Sequence, residues 1–148
     1  MRPSCLGGQP INLDDLARFV GIRWIFHEDY WDGPKSGTIA CGDKRFWAVM
    51  HSEYYHEPDD PDSDGSVCRV RTFLIYNPPD SFWAAKDAQH AVWRKKVGTH
   101  CDYDVFGERK GKVNPDLSQH REYYEAYPTG ARVKIQDVAM PIGWFQEN

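Results

Sequence analysis

This chain has to build its core from rings. Leu, Ile, Val and Phe supply only 29 of 148 residues, a fraction low enough to raise the question of disorder. The net charge of −4, from 18 bases against 22 acids, is too small for self-repulsion to hold the chain open. The missing aliphatic bulk is replaced by 6 Trp, 8 Tyr and 7 Phe, each able to bury about 150–250 Å². A compact soluble domain is the consequence, and 148 residues suit one domain. Residues 1–10, with Pro3, Pro10, Ser4, Gly7 and Gly8, read as a flexible lead-in, and residues 11–148 as the single domain. The same arithmetic excludes a coiled coil, a collagen-like chain, a membrane span and a polybasic tail for nucleic acid.

Cys5, Cys41, Cys68 and Cys101 contain no closely spaced pair of the kind zinc cages use. The N-terminus has no apolar run of signal-peptide length. Free thiols and a cytoplasmic location are therefore expected. Charge is uneven. Residues 28–64 are acid-rich, and residues 86–112 gather Lys86, Arg94, Lys95, Lys96, Arg109, Lys110 and Lys112. Such a two-poled field can steer an anion to one side. The basic runs are too short for duplex nucleic acid.

Local patterns predict the elements. Asn12 as a cap, Asp14 and Asp15 in the first turn, and Leu13, Leu16, Phe19 and Val20 as a stripe predict a helix over 13–20. Ile22, Trp24 and Phe26 then alternate as a strand. Residues 31–37 read as a turn, and Thr38–Cys41 and Arg45–His56 as strands joined at Gly42-Asp43. A ten-residue loop leads to a strand over Val67–Asn77. Pro78-Pro79 and a cap at Asp80 or Ser81 open a second helix, Phe82–Val97, closed by Gly98. Residues 99–113 are irregular, Asn114-Pro115 opens a third helix to about Tyr127, and Arg132–Val138 is the last strand. The fold class expected is α+β, with a largely antiparallel sheet of four to five strands and three helices.

Two places carry candidate chemistry. Asp60, Asp62 and Asp64, in Asp60-Pro61-Asp62-Ser63-Asp64-Gly65, match the D-x-D-x-D-G opening of a calcium loop. The resemblance to an EF-hand ends there, because the twelfth position is Arg71 and the flanks read as strands. A looser calcium loop and a solvated hairpin tip are the two readings left. The second place is a strand face. Pairing Glu53 with Arg69 sets His51 opposite Arg71 and Trp47 opposite Ile75, gathering Trp47, His51, Glu53, Tyr55, Arg69 and Arg71. Arginine forks would hold an anion there and Trp47 or Tyr55 would stack on a ring. His27-Glu28-Asp29, at a strand end, could add metal ligands to His51 or His56.

No recognisable catalytic set accompanies these residues. The expectation is a small binding or interaction protein without turnover, holding an anionic and nucleotide-like small molecule or a protein partner through Arg and aromatic side chains. It would have no membrane and no duplex nucleic acid as partner, and would be free to form a homo-oligomer. A metal-dependent hydrolase built on His27, His51, Glu53, His56 and the acidic loop is the catalytic alternative. A structural subunit of an assembly is the third reading.

Overall fold

The computed structural model describes residues 5–6, 9–30, 33–56 and 68–147. Eight strands are assigned: β1 (Cys5–Leu6), β2 (Gln9–Pro10), β3 (Ala17–Arg18), β4 (Ile22–Tyr30), β5 (Pro34–Cys41), β6 (Lys44–His56), β7 (Cys68–Tyr76) and β8 (Pro141–Glu147). Two α-helices, α1 (Asp80–Lys96) and α2 (Leu117–Ala126), lie between β7 and β8. β1 and β2 pair with each other, and the other six strands form one sheet in the order β3-β8-β7-β6-β5-β4. All its pairings are antiparallel except β3 with β8. The class is α+β as expected, with six strands in the main sheet rather than four or five. No helix among the described residues is long and apolar enough to cross a membrane.

The sheet is strongly coiled. Three strands separate β4 from β8, so a flat sheet would hold them about 19 Å apart. Yet Trp24 Nε1 on β4 donates to Glu147 Oε2 on β8 at 3.0 Å, and the Trp24 ring lies 6.0 Å from Phe145. The margins thus meet across the concave face, over a core of Ile39, Phe46, Ala48, Phe73, Ile75 and Phe145. On the opposite face α1 covers Trp47, Leu74 and Tyr76 with Phe82 and Trp83. The aromatic excess is spent on both sides of one sheet.

Local signals lose to this packing at three places. Asn12 caps as expected, its Oδ1 accepting from Asp14 N at 3.0 Å, but the helix stops after one 3-10 turn, Leu13–Asp15. Leu13 and Leu16 pack beside the helix-side core, while Phe19 reaches the concave core, and no single helical stripe serves both faces. Ala17–Arg18 pairs with β8 instead. The residues from 132 to 138 are not a strand. They carry a 3-10 turn at Ile135–Asp137 that buries Ile135, and the last strand is Pro141–Glu147, with Phe145 stacked on Phe73 at 4.9 Å. The turn expected over 31–37 gives way to a strand from Pro34.

Register is a fourth difference. Trp47 pairs with Tyr76, one residue on from Ile75, and a bulge between Met50 and Ser52 adds a second step, so that Glu53 lies opposite Arg71 and Tyr55 opposite Arg69. An uninterrupted period of two had put Glu53 against Arg69 and His51 against Arg71. A second bulge, between Trp24 and Phe26, re-aims β4. Trp24 turns to the concave core, while Phe26 stacks on His90 of α1 at 4.0 Å. The close pairing of Gly37 with His27 holds this segment. A Cβ at Gly37 would stand 2.0 Å from the Phe26 carbonyl oxygen, and backbone cannot yield as a side-chain tip can. Gly37→Ala should therefore cost about 1–3 kcal/mol or more. Gly42→Ala, where φ is +62° but nothing lies within 4 Å, should cost about 1 kcal/mol; urea unfolding of the two variants gives the comparison.

Candidate functional site

The outer edge of β4 is covered by the segment following α1. His27 N donates to the Cys101 carbonyl at 3.0 Å and Tyr103 N to the Ile25 carbonyl at 3.0 Å, which removes an open sheet edge. That segment is itself fastened. Asp102 accepts a bond from Arg94 Nε at 3.0 Å, and Asp104 Oδ1 accepts from the amides of Phe106 and Glu108 at 2.8 and 2.9 Å. The basic tip flanked by Gly107 and Gly111 is thus the outer end of an ordered cover over β4.

Behind the cover Glu28 enters the interior. Its Oε1 accepts from Lys86 Nζ at 2.6 Å and from Gln89 Nε2 at 2.9 Å. Gln89 Nε2 also donates to the Tyr123 hydroxyl of α2 at 2.8 Å, and His90 Nε2 stands 3.6 Å from Glu28. Lys86, Gln89 and His90 fall three and four residues apart, one face of a helix. Burial pushes the Glu28 carboxyl up, but attraction to His90 and Lys86 outweighs it and holds the carboxyl below its ordinary value.

Two adjoining cavities open around this carboxylate, sharing Glu28, Asp29, Thr129 and Arg132 as walls. The smaller, about 190 Å³, reaches Trp47, Lys86 and Lys134. The larger, about 380 Å³, is walled by His27, Tyr30, Trp93, His100, Tyr103 and Tyr124, with Arg109 and Arg132 at its margin. Both ring nitrogens of His27, Nε1 of Trp93 and Nδ1 of His100 are buried and have no hydrogen-bond partner among the described residues. His27 is 6% exposed. Each unanswered buried polar atom costs about 1–3 kcal/mol, and a group of them at one cavity is an unusual concentration.

Burial, helped by the Arg109 charge, lowers the His27 pKa to about 4. His100 is lowered by burial and by the charges of Arg109 and His120. Both rings are therefore neutral near pH 7, each offering one N–H and one acceptor nitrogen. The thiol of Cys101, pushed up to about 11 by burial first and Asp102 second, stays protonated and is no nucleophile. Cys41 and Cys101 are free thiols.

The residues expected to form one strand face are divided. Glu53, Tyr55, Arg69 and Arg71 do share a side. Glu53 accepts from Arg71 Nε at 2.5 Å and from the Tyr55 hydroxyl at 2.7 Å. The Tyr55 bond and the Arg71 and Arg69 charges hold the Glu53 carboxyl below its usual range. Arg71, 4% exposed, also donates to the Pro34 carbonyl at 2.9 Å. These bonds tie β5, β6 and β7 together and engage the fork offered for an anion. His51, at the bulge, is lowered in pKa by burial. Trp47 lies on the other face under α1, where it walls the smaller cavity. Asp60, Asp62 and Asp64 lie outside the described residues, and among the described residues no three of His, Cys, Asp and Glu gather as a metal cluster. The His27-Glu28-Asp29 stretch does reach a cavity, with side chains of α1 and of residues 100–109 instead of His51 around it. Helical spacing of Lys86, Gln89 and His90, on the same side as Phe82, was the overlooked signal of a polar cluster inside the core.

Compared with protein-family models, curated proteins and solved structures, the chain matches none.

Two outcomes follow from these electrostatics. Between the lowered His27 value of about 4 and an unfolded value near 6.5, the unfolded chain binds more protons, so stability is full above that window and falls as pH drops through it. At about 1.4 kcal/mol per pKa unit this amounts to about 3–4 kcal/mol, and His27→Phe should flatten the pH 4.5–6.5 limb measured by denaturant unfolding; His51 and His100 supply the slope that persists. Breaking the buried pair with Glu28→Gln should cost about 3–5 kcal/mol, whereas Glu28→Leu combined with Lys86→Met should recover much of it, read from the same unfolding curves.

Proposed function

We propose that the protein is a binding protein for a small aromatic anion, which it holds without turnover in the larger cavity beside β4. One observation carries this reading: His27, Trp93 and His100, whose buried ring nitrogens are unanswered, wall one cavity together with Arg109 and Arg132. The indole N–H only donates, each neutral imidazole donates once, and guanidinium groups only donate. Donors outnumber acceptors, so the complementary ligand is rich in acceptors, as carboxylates and phosphates are. Tyr30, Trp93, Tyr103 and Tyr124 supply ring faces for a planar body. The 380 Å³ of space falls in the range of small-molecule sites. The orphaned nitrogens are sealed by their neighbours as the rings stand, so binding requires a small rotation of the His27 or His100 ring. The gain is the hydrogen bonds those atoms lack.

A nucleotide-like ligand remains within this class, now seated beside β4 rather than on the Glu53–Arg71 face. The free thiols of Cys41 and Cys101 fit a cytoplasmic home. The test is a melting screen with an aromatic carboxylate, a nucleoside monophosphate and inorganic phosphate. An aromatic anion at about 100 times its Kd should raise Tm by about 5–10 °C. Arg109 is fully exposed, and Arg109→Ala should weaken binding about tenfold or more while leaving the unliganded Tm in place. A flat response to every aromatic anion, or shifts that survive both Arg109→Ala and Arg132→Gln, would overturn the proposal.

A further inference from the structure

The neck between the two cavities has walls of opposite charge. Glu28 and Asp29 come from β4, and Arg132 comes from the turn after α2. Glu28 uses only Oε1 for Lys86 and Gln89; its Oε2 accepts no hydrogen bond among the described residues. Asp29 Oδ2 has one long contact, 3.4 Å from Ser36 Oγ. Across the neck, Arg132 Nε donates to the Tyr127 carbonyl at 3.1 Å and its guanidinium lies over the Tyr123 ring. Its two terminal nitrogens make no hydrogen bond among the described residues. A carboxylate and a guanidinium that both retain unused valence, in one neck and without an ion pair between them, call for a molecule that bridges them. A simple anion at Arg132 would also face Asp29, which has no ion pair among the described residues, whereas Glu28 is paired with Lys86, and like charge repels the anion from the Asp29 wall.

From this juxtaposition we infer that the ligand is a zwitterion of the aromatic α-amino-acid type. Its ammonium faces Asp29 and Glu28, its carboxylate faces Arg132, and its ring enters the larger cavity among Tyr30, Trp93, Tyr103 and Tyr124. The inference rests on the reading of that cavity as an aromatic-anion site and narrows it to molecules that carry a cationic donor beside the anion. His27, a side chain 6% exposed with both ring nitrogens unpartnered, walls the larger cavity and gains a partner when a small ring rotation turns a nitrogen toward the guest.

Three probes with one ring separate the possibilities by isothermal titration at pH 7: L-tryptophan, indole-3-propionate and tryptamine. L-Tryptophan should bind at least tenfold more tightly than either of the others. Asp29→Asn, at an exposed side chain, should weaken L-tryptophan and tighten indole-3-propionate, closing the gap between them. Equal binding of L-tryptophan and indole-3-propionate, with no effect of Asp29→Asn, would overturn the zwitterion while leaving the anion site standing. Binding of a nucleoside monophosphate with no binding of L-tryptophan would do the same. If no probe and no aromatic anion binds, both readings fall together.

Discussion

A carboxylate taken out of water has to be answered by charge and hydrogen bonds, and Glu28 sets that demand for the whole of this structure. Removing an ion from water costs several kcal/mol even after relaxation. The compensation comes from α1, where Lys86 and Gln89 both reach Oε1, and it extends to α2 through the Tyr123 hydroxyl. One atom on the margin of the sheet thereby orients both helices. Phe26 supports the arrangement by stacking on His90, and the Lys86 ammonium lies over Trp47 at 5.1 Å. An apolar replacement of the pair would recover much of the stability lost on breaking it. The ionic version adds a fixed geometry, with a carboxylate of defined charge at the junction of three elements and two cavities.

Bulges make that geometry reachable. Without the irregularity between Trp24 and Phe26, strict alternation would send Trp24 and Phe26 to one face. The concave core would then lose its link from Trp24 to Glu147 and Phe145, or α1 would lose its contact with β4. The extra residue lets neighbouring side chains serve opposite layers, a familiar use of bulges near sites. The bulge in β6 acts in the same way, separating Trp47, which joins the helix side, from Glu53 and Tyr55, which meet Arg71 and Arg69. Side-chain direction in this fold is decided at such irregularities, these two and those at His27/Asp29, Asp29/Tyr30 and Ile75/Tyr76, more than by any long pattern.

Those irregularities also explain what could be read from the sequence. The α1 boundaries, the Gly42-Asp43 hairpin and the strand ending at Tyr76 were legible because Pro78-Pro79, Gly98 and β-branched runs are local signals. The face holding Trp47, His51, Glu53, Tyr55, Arg69 and Arg71 rests on an unbroken period, whereas the pairing is one residue on at Trp47 and the bulge at Met50/Ser52 adds another, so Glu53 meets Arg71 and Trp47 leaves the group. Residues 13–20 carried a real cap and a real apolar spacing, yet Leu13 and Phe19 belong to different cores, which only the assembled sheet reveals. The cavity beside β4 was harder still. Its walls come from residues 27–30, 93–109, 124 and 129–132, segments without a shared motif, brought together by the covering of a sheet edge.

That covering accounts for the position of the site. An exposed β4 edge would present unpaired amides and carbonyls, and residues 101–103 answer them with backbone bonds at His27 and Ile25. A loop pressed against a strand edge cannot also fill the space behind it, where β4 ends at Tyr30 and α2 ends at Ala126. The space remains, and the side chains bordering it are the ones that the edge pairing has drawn in: His27 from the strand and His100, Cys101 and Tyr103 from the cover. The backbones of His27, Cys101 and Tyr103 are engaged by the ladder, while the nitrogens of His27 and His100 named above are not. Rigid main chain with unspent side-chain polarity is the condition under which a cavity binds selectively, because the ordering cost is met in folding and little is left to be lost on binding.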